Sequence, residues 1–100
     1  MIEPKQCADM NEIRTAIDEI DNDIVKLISK RSQYVHEASK FKKDELAVKD
    51  SSRVTKVINS KRELALKYGA SPELIGDIYK MMLDFFIEEE LKEWNNQQNK

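Results

Sequence analysis

From Glu12 to Lys43 the chain carries apolar residues at Ile13, Ile17, Ile20, Ile24, Leu27, Tyr34 and Ala38, with no Gly or Pro between them. That alternation of four and three marks one face of a long helix with a coiled-coil-like seam. Such a helix would measure about 48 Å, whereas a globule of 100 residues is only about 35 Å across. The helix outgrows the globule. A second copy packed along the overhang is the economical remedy, so an intertwined homodimer is expected.

The seam contains one cation. After Leu27 the pattern asks for an apolar residue and the sequence supplies Arg31; a charge aimed at a buried face calls for an anion to meet it. Lys42 follows eleven residues later, which on a continuous helix returns it to nearly the same face about 16 Å along the axis. Arg14 precedes Arg31 by seventeen residues, about 25 Å on the same rod. If Arg14 shares a site with Arg31, it comes from another chain.

The rest of the sequence reads as two further helices. Residues 1–8 form an N-terminal arm, and Asp9 with Glu12 has the form of a capping box at the start of the long helix. The period breaks from Asp44 to Asp50. Asp50, Ser51 and Ser52 then offer an N-cap for a second helix through about Tyr68, buried along Val54, Val57, Ile58, Leu64, Ala65 and Tyr68, with Gly69 as its left-handed stop. Ser71 followed by Pro72 opens a third helix, expected to reach about Asn95 before a polar tail over residues 96–100. Its inward stripe is Ile75, Tyr79, Met82, Phe86, Glu90 and Trp94, so a carboxyl occupies an apolar position. Gly76 inside this helix points to close backbone packing. The expectation is a single all-α domain over residues 1–100.

Several function classes are disfavoured. Lys and Arg number 17 against 19 Asp and Glu, and the formal net charge of -2 gives no overall field for nucleic acid. No apolar run approaches the length of a membrane span, and the first residues do not form a leader, so a cytoplasmic protein with no membrane association is expected. Cys7 and His36 lack the companions that catalysis or a metal site requires, and neither is assigned a role. No metal or other cofactor is expected. Arginine forks grip carboxylates bidentately, so Arg31, Lys42 and Arg14 from a partner chain suit a small dicarboxylate, with Glu90 on a facing helix. No nucleophile has a base beside it; an enzyme built from these parts works by positioning and electrostatics. The same pattern also suits a helical dimerisation or adaptor module in which Arg31 simply pairs across a coiled coil.

At these residues the chain resembles the all-helical chorismate mutase family, and within it the isochorismate-pyruvate lyase branch. The likeness runs through Ile13-Arg14, Ala16-Ile17-Asp18, Ile20-Asp21, Arg31, Tyr34-Val35, Ala38-Ser39, Phe41-Lys42, Arg53-Val54 and Ile87 through Glu90 to Trp94. It implies an intertwined dimer of three-helix chains with a substrate dianion among the helices. Arg14 from one chain and Arg31 from the other match the arginines that hold the two carboxylates. Lys42 matches the lysine that donates to the ether oxygen, and its neighbour Lys43 lies off that face. Arg53 matches an arginine shaping the carboxylate end, with Asp50 just before it.

Three departures accompany the resemblance. Glu90 stands where bacterial members typically carry a glutamine that donates to the ether oxygen, which implies that Glu90 works protonated and that activity falls as pH rises. Val54 replaces a glutamate common in mutases, and Phe86 replaces a small polar residue. Both changes resemble the lyase branch, whose substrate bears its hydroxyl at a different carbon. The activity implied is isochorismate cleavage to salicylate and pyruvate, in salicylate biosynthesis, with some conversion of chorismate to prephenate. Plain chorismate mutase, serving aromatic amino acid biosynthesis, is the alternative, because Asp50 resembles the mutases and a glutamate at the position of Glu90 occurs in some of them too.

Overall fold

A computed structural model describes the backbone of residues 2–42 and 44–98, and the side chains of these except Leu46, Gln97 and Gln98. Among the described residues there is no strand. Three long helices form, α1 (Met10–Ser39), α3 (Ser51–Tyr68) and α4 (Pro72–Gln98), with a single-turn helix α2 (Glu45–Lys49) between the first two and a 3-10 turn over Pro4–Gln6 ahead of them. Among the described residues no helix is long and apolar enough to cross a membrane. The chain divides into two compact units, Met1–Tyr34 and Val35–Lys100.

The N-terminal unit is the amino-terminal arm and most of α1. The Asp9 carboxylate accepts from the Glu12 backbone N-H at 2.9 Å, and the Glu12 carboxylate reaches back to the N-H of Ala8 at 2.7 Å. This reciprocal pair satisfies donors that a helix start leaves open. Of the seam, Ile13, Ile17, Ile20, Ile24, Leu27 and Tyr34 are all exposed, Ile17 by 49% and Leu27 by 62%, and α1 has no buried residue. The described residues leave this stripe uncovered.

In the C-terminal unit α1 ends earlier than its pattern suggests. The expected continuation to Lys43 falls partly outside the described residues, but the α-helix already stops at Ser39. The N-H groups of Lys40, Phe41 and Lys42 donate to the carbonyls of Glu37, Ala38 and Ser39 at 3.2, 3.1 and 3.2 Å. These successive bonds to the third residue back wind the chain more tightly than an α-helix. Lys42 therefore does not continue the helical face of Arg31, and the eleven-residue register fails at its last turn.

The break expected over Asp44 to Asp50 contains α2. Its cap is Asp44, whose carboxylate accepts from the Ala47 N-H at 2.8 Å, and Val48 is buried against the rest of the unit at 4% exposure. Asp50 then caps α3 as expected, accepting from the Arg53 N-H at 3.1 Å.

α3 and α4 make a helical hairpin. Gly69 takes a φ of 75°, donates to the Leu66 carbonyl at 3.3 Å, and lets the Ala70 N-H reach the Ala65 carbonyl at 2.8 Å. This left-handed closure satisfies the last carbonyls of α3 and is open to glycine at little cost. The Ser71 hydroxyl caps α4 by accepting from the Leu74 N-H at 3.2 Å. Val57 and Ala65 are buried on α3, whereas Leu64 and Tyr68 are exposed rather than part of its buried face. Lys61 takes a place on that face, its ammonium 5.8 Å from the centre of the Tyr79 ring.

The α4 stripe has the expected direction. Ile75, Tyr79, Met82, Phe86 and Trp94 are half-buried and Glu90 is buried, while Leu74, Ile78, Met81 and Phe85 form a second, exposed apolar stripe. Gly76 is buried, and a Cβ there would stand 3.1 Å from Cζ and Nη2 of Arg62. The close approach expected at Gly76 is thus to an arginine side chain. α4 runs on to Gln98, beyond the end expected at Asn95.

Candidate active site

The centre of the candidate site is a contact between two segments far apart in sequence. Lys42 lies just after the end of α1, and its Nζ donates to Oε2 of Glu90 on α4 at 2.6 Å. The Lys42 side chain is 27% exposed and that of Glu90 only 7%. A carboxylate so removed from water needs a partner, and the ammonium supplies both charge and a donor. One of three ammonium protons is engaged in this way. An ammonium carries two further donors that an oxygen placed beside the pair could take.

Helical geometry puts Phe86 one turn before Glu90 on the same face of α4. Its ring packs edge-on against Phe85, with centroids 5.2 Å apart and an interplanar angle of 85°. Val54 is half-buried on α3, and Arg53 is exposed in the first turn of that helix. Asp50 is exposed at the cap. The Arg53 N-H and then the Ser52 hydroxyl hold its carboxyl below the usual carboxylate range. Asp50 is thus an ionised acceptor whose first duty is to the start of α3. Arg14 and Arg31 both lie on α1 in the N-terminal unit, Arg14 exposed on its second turn.

A second pair escaped the reading of the sequence. His36, in the last turn of α1, has Nδ1 3.2 Å from Oε2 of Glu93 on α4. Nothing local in the sequence signals this pair, since its members are fifty-seven residues apart. α2 did leave a signal, the Asp44 cap, but its pattern is too short to read as a helix. A cavity of about 120 Å³ beside Lys42 is lined by His36, Val48, Glu93 and Trp94 among others.

Residues 13–91 match the family model described as chorismate mutase type II. The chain is also 32% identical, over 91 residues, to a curated isochorismate pyruvate lyase of Pseudomonas aeruginosa, an alignment covering 91% of this chain and 90% of that protein. The family match spans most of the helical chain, including the Lys42 and Glu90 positions. This protein belongs to the type II chorismate mutase family.

Proposed function

We propose that the protein is a pericyclic enzyme that cleaves isochorismate to salicylate and pyruvate, with some conversion of chorismate to prephenate. The observation that carries this reading is the Lys42 ammonium held 2.6 Å from buried Glu90, on an α4 face otherwise apolar. The similarity to a protein named isochorismate pyruvate lyase supports the choice of substrate.

The chemistry asks little of the protein beyond shape and charge. In the lyase reaction the C-O bond of the ether breaks, one ring hydrogen passes to the enolpyruvyl methylene, and the ring becomes aromatic. Every atom of the substrate is accounted for in the two products. The pocket selects the conformer with the side chain folded over the ring, and Lys42 donates to the ether oxygen as negative charge grows there. Arg31 and Arg53 bind carboxylate oxygens, and Phe86 and Val54 present apolar surface to the ring. No covalent intermediate is involved.

A second copy completes the site in this reading. It covers the exposed stripe from Ile13 to Tyr34 on α1, and the exposed Leu74, Ile78, Met81 and Phe85 offer further apolar surface. Arg14 of the partner subunit then meets the substrate carboxylate opposite Arg31. The whole chain acts as one domain in such a dimer.

Chorismate mutase activity alone is the second reading. Asp50 favours it, because a carboxylate kept ionised at the start of α3 is a ready acceptor for a ring hydroxyl. Incubating the purified protein separately with isochorismate and chorismate decides. Salicylate with pyruvate supports the first reading, prephenate alone the second, and turnover of neither leaves a helical dimerisation module.

A further inference from the structure

Two contacts with carboxylates on α4 hold the end of α1 and the segment after it. Lys42 meets Glu90 at 2.6 Å and His36 meets Glu93 at 3.2 Å. Glu90 and Glu93 are three residues apart, so they are neighbours on the surface of α4. The segment between His36 and Lys42 is the one that leaves the α-helix. There the Ser39 hydroxyl donates to the His36 carbonyl at 2.6 Å, and Lys42 is reached through the tightened turns that follow. The direction in which Lys42 departs is therefore set from the last turn of α1, where His36 is anchored. The neighbouring cations have carboxylates of their own: Lys40 pairs with Glu37 at 2.9 Å and Lys92 approaches Glu89 at 3.7 Å.

We propose that His36 and Glu93 are positioning residues for Lys42: their contact fixes the last turn of α1 on α4 so that the Lys42 ammonium is delivered to Glu90. The proposal deepens the reading of Lys42 as the ether-oxygen donor and rests on it for its catalytic consequence. The His36 and Glu93 side chains are about half exposed, at 54% and 43%. Exposed pairs of this kind bias a local equilibrium about two- to fivefold. The effect on Lys42 is graded rather than absolute.

The test follows the reactivity of Lys42 itself. Full-length wild type, His36→Ala, Glu93→Gln and His36→Lys are treated briefly with an amine-acetylating ester, and modification of each lysine is quantified by mass spectrometry. Lys42 is expected to react about two- to fivefold faster in His36→Ala and Glu93→Gln, with Lys80 unchanged and His36→Lys returned to the wild-type rate. With substrate, kcat falls by the same factor in the two broken variants while KM stays constant. Circular dichroism reports folding, and either broken variant suffices if the other does not fold. An unchanged Lys42 labelling rate overturns the proposal, as does a uniform rise at every lysine. Altered Lys42 labelling in a protein that turns over neither isochorismate nor chorismate upholds the positioning and overturns the functional reading instead.

Discussion

The Lys42 ammonium and the Glu90 carboxylate meet at 2.6 Å although forty-eight residues separate them in the chain. Removing two charges from water costs several kcal/mol that their attraction only partly returns. An apolar pair of similar size would hold α1 to α4 at least as well. The contact therefore gives little reason for its own presence through stability, and under the proposed function its cation would serve an anionic transition state.

This separates folding from function in one experiment. Lys42→Ala leaves Glu90 buried without its ammonium and should cost about 2 kcal/mol, while the pair Lys42→Met with Glu90→Leu should recover most of that loss. Both proteins should be inactive. Denaturant unfolding with a turnover assay checks this, and activity in the apolar double variant would remove Lys42 from the chemistry.

Glu90→Gln tests the carboxylate alone. The amide keeps an oxygen for Lys42 and, under the proposed function, adds an N-H group that can reach the ether oxygen while removing a negative charge from beside the reacting centre. With that charge gone the variant should turn over about tenfold faster than the wild type. An unchanged kcat would place Glu90 outside the site.

What the sequence disclosed, and what it hid, follows from the range of the interactions. Asp9 with Glu12, Asp50, Gly69 and Ser71 with Pro72 were legible because a cap is decided within four residues. The inward position of Glu90 was legible too, from its spacing to Phe86 and Trp94. The end of α1 was not, since no Gly or Pro marks it and Lys42 is drawn to a partner on α4. The contact of His36 with Glu93 joins two ordinary polar surface residues and leaves no local pattern. The α1 seam showed where apolar surface lies; the missing element was what covers it.

Asp50 gives an acid-side prediction. The Arg53 N-H and the Ser52 hydroxyl favour its ionised form, so its folded-state value lies below that of the unfolded chain. Its contribution is full above the unfolded value and is lost as pH falls through the folded one. In Asp50→Asn the amide oxygen caps α3 without titrating. The stability difference between wild type and variant, followed by urea unfolding from pH 6 to about 2.5, should shrink or reverse on the acid side. A difference independent of pH would show that Asp50 does not cap α3 in solution.

Gly76 and Arg62 should be coupled. Alanine at position 76 favours an α-helix by about 1 kcal/mol over glycine, but its Cβ would press on the Arg62 guanidinium group, whose Cζ and Nη2 lie 3.1 Å away. Gly76→Ala should thus stabilise an Arg62→Ala protein by about 1 kcal/mol and the wild type by clearly less. Equal gains in the two backgrounds would mean that Arg62 swings off α4 freely.

The shared site predicts complementation between inactive variants. If each pocket takes Arg31 from one chain and Arg14 of the partner subunit, Arg14→Ala and Arg31→Ala homodimers each lack one arginine in both pockets. A heterodimer of the two concentrates both losses in one pocket and leaves the other intact. Random exchange makes half the dimers heterodimers, so unfolding and refolding an equal mixture should restore about a quarter of wild-type activity per chain. A pocket drawing both arginines from one chain would give no such recovery, since every pocket in every dimer would still lack an arginine. The yield of activity after refolding, measured against each variant refolded alone, therefore decides whether two chains build one site.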